Sequence, residues 1–196
     1  MIKKFVLLVM MLTCFTIYGV EIHHQEKDDI FTEADNITLY TGKGKCEFTS
    51  KGKNYIYDGE FLNGKLNGQG VICFSDEDRY EGQFVNNLFE GKGVIYLSNE
   101  IKYKGQFSND KFNGQGILYY EDGDRYEGNF LDDKKEGKGI YYFQDGNRYE
   151  GLFKNNMFNG QGIFYYPNGD RYEGNFLDDV MDGGGVFYNP DGSIIE

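Results

Sequence analysis

Side-chain catalysis needs a base, an activated nucleophile or a cluster of metal ligands, and this chain of 196 residues brings few such groups together. Its only histidines, His23 and His24, stand beside Glu26, Asp28 and Asp29. A histidine close behind a new amino terminus can bind copper or nickel, but so polar a stretch reads first as a solvated linker. With no histidine further along, no nucleophile finds a base. The turns Glu121-Asp122-Gly123-Asp124 and Asp132-Asp133 offer carboxylate oxygens to calcium, but they lack the spacing and the closing glutamate of a calcium loop. No catalytic residue, metal site or cofactor is therefore expected. What the chain has in quantity is aromatic surface, with 17 Tyr, 17 Phe and no Trp.

Those rings are periodic. Tyr57, Tyr80, Tyr103, Tyr126, Tyr149 and Tyr172 recur at steps of 23 residues. Two positions on stand Gly59, Gly82, Gly105, Gly128, Gly151 and Gly174, and two further on Phe61, Phe84, Phe107, Phe130, Phe153 and Phe176. A glycine pair follows in every copy, from Gly68/Gly70 through Gly91/Gly93, Gly114/Gly116, Gly137/Gly139 and Gly160/Gly162 to Gly183/Gly185. A period of this length marks a repeat architecture.

Within Tyr126-Glu127-Gly128-Asn129-Phe130 the alternation has a strand period. Tyr126, Gly128 and Phe130 share one face; Arg125, Glu127 and Asn129 share the other. Pairs such as Asn63-Gly64, Asn86-Asn87 and Asp132-Asp133 suit a hairpin reversal, because they tolerate positive φ. The second strand runs from the glycine pair into aromatics, and Asp122-Gly123, Asp145-Gly146, Asn168-Gly169 or Asp191-Gly192 turns it back. Glu77 and Glu100 replace that glycine in the first two copies. One unit is thus a β-hairpin. Glycine inside a strand costs entropy, so its recurrence needs a steric reason: a bare backbone over which a neighbouring Tyr or Phe ring can lie.

These residues resemble the MORN repeat, whose pattern is close to Tyr-x-Gly-x-aromatic, a spacer and Gly-x-Gly. The resemblance covers residues 41–196, with Phe where the family usually has Trp. It implies an all-β fold, an elongated, single-layer, twisted antiparallel sheet of tandem hairpins. About a dozen strands at about 4.8 Å spacing would extend on the order of 60 Å. MORN arrays also accompany kinase or methyltransferase domains in larger proteins; no segment here is left to hold one, and no enzyme is expected.

The chain divides accordingly. In residues 1–19, Lys3 and Lys4 precede an apolar run from Phe5 to Tyr18 and a small residue, Gly19, which is the layout of a signal peptide, either cleaved near Gly19 or kept as an anchor. Export past the first membrane is expected: secretion, a secretory-pathway lumen, a periplasm or the cell surface. Residues 20–40 form a polar, acidic linker containing the sequon Asn36-Ile37-Thr38. The array occupies 41–196, with a half unit at 41–56, built on Gly42-Lys43-Gly44 and expected to cap the N-terminal edge, and whole units starting at 57, 80, 103, 126, 149 and 172. Cys46 and Cys73 take nearly matching places in adjacent second strands; they form either a disulfide or two buried thiols.

Charge bounds the partners. A formal charge of −12 offers nucleic acid no basic footprint and repels anionic lipid heads. The basic ladder Arg79, Lys102, Arg125, Arg148 and Arg171 is followed two residues on by Glu81, Lys104, Glu127, Glu150 and Glu173. Four of the five pairs are opposite in sign, so salt bridges rather than a phosphate-binding stripe are expected. The reading is a non-catalytic, exported scaffold or protein-interaction module, with self-association among its options. Its candidate surface is aromatic: Tyr80, Tyr103, Tyr126, Tyr149 and Tyr172, with Tyr96, Tyr119, Tyr142 and Tyr165 of the second strands. The structural glycines are Gly59, Gly82, Gly105, Gly128, Gly151, Gly174, Gly93, Gly116, Gly139 and Gly162. Two alternatives use the same sheet, a membrane tether binding phospholipid heads and a carbohydrate-binding surface with tyrosines as stacking platforms.

Overall fold

The structure, a computed structural model, describes residues 21–23, 30–31, 40–50, 53–74 and 77–195. The expected signal peptide, His24 and the sequon at 36–38 lie outside the described residues. Every regular element among the described residues is a β-strand, and the chain divides into two compact units, residues 1–111 and 112–196.

In the first unit, β1 (Glu21–His23), β2 (Ile30–Phe31), β3 (Gly42–Ser50), β4 (Lys53–Leu62), β5 (Lys65–Cys73), β6 (Arg79–Val85), β7 (Leu88–Leu97) and β8 (Glu100–Ser108) make an open antiparallel sheet. Its order is β2-β1-β3-β4-β5-β6-β7-β8. In the second, β9 (Lys111–Tyr119), β10 (Arg125–Leu131), β11 (Lys134–Tyr142), β12 (Arg148–Lys154), β13 (Met157–Tyr165) and β14 (Arg171–Leu177) follow one another across the sheet. The short β15 (Val180–Met181) and β16 (Val186–Tyr188) both pair with β14. The all-β, tandem-hairpin reading holds in each unit.

The half unit is β3, whose Gly44 stands opposite Gly59 as Gly70 does on the other side. It is not the edge it was expected to be. β1 pairs with β3, Ile22 opposite Cys46, and β2 pairs with β1. A short strand from the stretch read as linker, β1, thus covers β3 from Lys45 to Glu47, and β2 extends the sheet beyond it.

Register explains most of the glycines. In the second unit Gly116, Gly128, Gly139, Gly151, Gly162 and Gly174 are successive cross-strand partners, a row of bare backbone crossing six strands. The Tyr126 ring lies over Gly128 and Gly139, and the Tyr149 ring over Gly151 and Gly162. The first glycine of each pair has a different reason. Gly114 has φ of 79°, and Gly68, Gly91 and Gly137 have φ of 68°, 61° and 70°, at the irregular end of the hairpin where the register shifts. There the kink turns a carbonyl toward the ring, so the Tyr126 hydroxyl donates to Asn129 O at 2.9 Å. Tyr57, Tyr80, Tyr103 and Tyr149 repeat that bond at 2.9 Å.

The turns have two jobs. Asn86-Asn87, Asp132-Asp133, Asn155-Asn156 and Asp178-Asp179 all have positive φ, as a two-residue hairpin turn requires. The second residue also clasps the preceding hairpin. Asp133 N donates to Phe112 O while its Oδ1 accepts from Phe112 N, and Asn156 does the same to Lys135. In the copy closed by Ser98-Asn99, both residues have positive φ and the register shifts at Tyr96.

Candidate interaction surface

The core of each unit is the tyrosine–phenylalanine column. Tyr80, Tyr103, Tyr126 and Tyr149 are 0% exposed and Tyr172 2%, so these five are not the surface they were expected to join. The reason is the glycine row: a ring that lies flat on bare backbone is sealed beneath by the sheet and at its edges by phenylalanines. Tyr149 meets Phe153 and Phe176 edge-on, at 5.3 and 4.9 Å, and stacks on Phe158 at 3.9 Å.

The second-strand tyrosines are on the opposite face. Arg125 is the cross-strand partner of both Tyr119 and Tyr142, Arg148 of Tyr142 and Tyr165, and Arg171 of Tyr165 and Tyr188. The second unit therefore carries an unbroken row, Tyr119-Arg125-Tyr142-Arg148-Tyr165-Arg171-Tyr188. Its tyrosines are half-buried, held from below and open above. The guanidinium carbons of Arg125, Arg148 and Arg171 lie 4.2, 4.1 and 4.4 Å from the ring centroids of Tyr142, Tyr165 and Tyr188. In the first unit Arg79 lies 3.7 Å from Tyr96. The sequence grouping of the two tyrosine sets into one surface is thus corrected: they are back to back.

The expected ion pairs form. Arg79–Glu81 and Arg171–Glu173 close at 2.6 Å, Arg125–Glu127 at 3.3 Å and Arg148–Glu150 at 3.7 Å. Exposed pairs of this kind are each worth about 0–1 kcal/mol; their effect here is to hold each guanidinium over a ring and offset its charge. Beside the row runs a second, Ile117-Glu127-Ile140-Glu150-Ile163-Glu173-Val186, also by direct cross-strand partnership. Exposed apolar residues flank both at the hairpin ends, Leu131 and Leu177 at 53% each.

Cys46 and Cys73 do not meet. Cys46 is the partner of Tyr57 and Cys73 of its neighbour Ile56, which puts the thiols on opposite faces of β4. They also lie two strands apart, about 9.6 Å against the 4.4–6.8 Å a bridge spans. Both are free, and burial pushes the Cys46 thiol up to about 12.

One residue breaks the core pattern. At the position where Leu66, Phe89, Phe112, Phe158 and Met181 stand, the unit beginning at Tyr126 has Lys135. It faces the tyrosine side, opposite Phe130, and no ion pair reaches it among the described residues. The charge pattern of the sequence alone could have singled it out, as the one cation in an apolar column.

Two comparisons bear on this geometry. A family model described as the MORN repeat matches residues 57–79, 80–100, 103–125, 126–148, 149–171 and 172–194. No curated protein matches the chain.

Proposed function

The chain belongs to the MORN-repeat family, a family of repeat arrays often involved in protein or membrane interactions, and on that premise we propose that it is an exported, non-catalytic scaffold. The observation that carries the proposal is the half-buried tyrosine–arginine row. Its chemistry is that of binding hot spots, where Tyr and Arg supply large contact area at low entropic cost. Here the guanidinium planes are already fixed by carboxylates and rings, so little side-chain freedom remains to be lost on docking. The flanking Ile and Leu side chains add apolar area, and the repeat sets the same group every two strands, about 9.6 Å apart. Such a surface suits an extended protein partner that makes the same contact several times.

Charge argues for protein over lipid. Each of the four arginines has its own glutamate, and the whole chain is at −12. The test uses the secreted chain and its Tyr142→Ala/Tyr165→Ala variant as baits in extract of the native host, beside liposomes containing phosphoinositides. The proposal expects a protein captured by the parent chain, lost with the double variant, and weak liposome binding. Tight liposome binding that falls steeply with salt and is lost with Arg125→Glu/Arg148→Glu would replace it with a membrane tether.

A further inference from the structure

Lys135 sits in a box of aromatic rings. Its Nζ lies 4.4 Å from the ring centroid of Tyr141, 5.6 Å from those of Tyr126 and Phe153, and 5.7 Å from that of Tyr120. In the next hairpin the corresponding Phe158 fills the space by stacking on Tyr149 at 3.9 Å. The rim of the Lys135 box is acidic and built. Asp124 accepts from the Tyr141 hydroxyl at 2.7 Å and from Gln144 N at 2.8 Å, and Asp179 is tied to Phe158 N at 2.7 Å. Rings that surround a cation, with carboxylates behind them, form a receptor for organic ammonium ions, because the ring faces present negative quadrupole charge.

We propose that Tyr120, Tyr126, Tyr141 and Phe153 form a binding site for methylated ammonium ligands, which the chain's own Lys135 occupies until such a ligand displaces it. The exchange is favoured by hydration. A primary ammonium is a compact, strongly hydrated charge whose three N–H groups want water or acceptors, and no hydrogen bond from Nζ forms among the described residues. Burial pushes the group down to about 8, against the opposing pull of Asp179 and Asp124. A quaternary ammonium has no N–H to strand and is weakly hydrated, yet gains the same attraction from the rings. Lys135 is only half-buried, so its long side chain can swing to solvent and leave a space of about its own bulk. The net charge of −12 draws cations toward the site. The box lies on the face opposite the tyrosine–arginine row, so this site and the scaffold surface stand or fall separately.

The experiment titrates the full chain with tetramethylammonium, with sodium at the same ionic strength as control, following tyrosine ring resonances and melting temperature. The parent chain should show saturable shifts confined to Tyr120, Tyr126 and Tyr141. Lys135→Ala, which removes the internal competitor, should bind about tenfold or more tighter. Lys135→Phe, which restores the residue type of the neighbouring hairpins, should not bind. No binding by a folded Lys135→Ala chain overturns the site. Should that variant not fold, the parent and Lys135→Phe decide alone: equal responses, or none in either, overturn it. Free choline and phosphatidylcholine vesicles are then compared. Binding to free choline alone assigns a soluble ligand, and binding to both assigns a lipid headgroup.

Discussion

Two glycines two residues apart should respond very differently to a single methyl group. A Cβ on Gly139 would stand 2.5 Å from Cε2 and from the hydroxyl of Tyr126, where about 3.6 Å is comfortable. The ring must retreat by about 1 Å, and the sheet beneath it cannot. Overpacking of this kind costs about 1–3 kcal/mol. The retreat also strains the hydroxyl bond to Asn129 O, worth about 1 kcal/mol. Gly139→Ala should therefore lose about 2–4 kcal/mol, and Gly139→Val more. Gly137 has φ of 70° but open space, its nearest neighbour 3.7 Å from the added carbon. Gly137→Ala bears only the left-handed backbone penalty, about 1–2 kcal/mol. Urea midpoints of both variants, with the slope monitored for loss of two-state behaviour, give the comparison. A double-mutant cycle isolates the ring: in a Tyr126→Leu background most of the added cost of Gly139→Ala should vanish. Equal losses at the two glycines, or additive behaviour in the cycle, would falsify the ring-over-glycine account.

Other consequences follow from register, thiol placement and burial. Deleting Tyr126 to Arg148, one whole period, should leave a folded, shorter protein by circular dichroism, whereas deleting 11 residues from the same point should abolish folding; loss of fold in both would end the repeat account. Cys46 should resist thiol reagents until the protein unfolds, Cys73 should react in the native state, and a chain made without residues 1–19 should retain both thiols in its non-reduced mass; a mass two hydrogens lower would contradict the opposite-face geometry. Burial holds the hydroxyls of Tyr57, Tyr80, Tyr120, Tyr126 and Tyr141 well above their ordinary range and that of Tyr149 at about 12. Unfolded tyrosines ionise near 10, so above about pH 10 the folded state binds more protons and stability should fall. Lys135, pushed down to about 8, has the opposite sign: its penalty is full below pH 8 and lifts as pH rises toward about 10.5. Lys135→Phe should be the more stable protein at pH 7, by about 1–3 kcal/mol, and its advantage should shrink by pH 10. An advantage that does not change over that range would argue against a buried ammonium.

The fold was legible because parity survives in the sequence. Tyr57, Gly59 and Phe61 differ by two, and so do their counterparts in every copy. That count groups each Tyr, Gly and Phe on one face and matches the hairpin turns and the four arginine–glutamate pairs, yet the tyrosines of that face, expected at the surface, are the buried ones. The misplaced residues were legible too, by the same count. From Gly93 to Tyr96 is three positions and from Gly70 to Cys73 three, but from Gly44 to Cys46 two. Tyr96 and Cys73 therefore had to leave the glycine face while Cys46 stayed on it. Other features had no signature. Gly137 and Gly139 are the same residue for unrelated reasons, and it takes φ at the one and the ring above the other to separate them. The Asp133 clasp on Phe112 reaches back 21 residues into the preceding hairpin, so one unit read alone shows only a turn.

A repeat that satisfies itself this fully restricts where function can lie. Each buried tyrosine has its glycines beneath and, from Tyr57 to Tyr149, its own bulge carbonyl at the hydroxyl; each turn is tied to the hairpin before it. Substitutions in that machinery change stability at every repeat, and of its rings only Tyr126 and Phe153 also line the Lys135 box. Two kinds of position remain. Between Tyr119 and Tyr188 the outer row repeats from hairpin to hairpin, so a partner that uses it gains by adding contacts, and removing one repeat should weaken it by degrees. Lys135 occurs once, and whatever it does should vanish with its unit. A deletion of residues 126–148 measured against both ligands separates them: graded loss for the protein partner and complete loss for the ammonium ion. The reverse pattern would put the individual site on the row and the repeated one in the core, which the register does not allow.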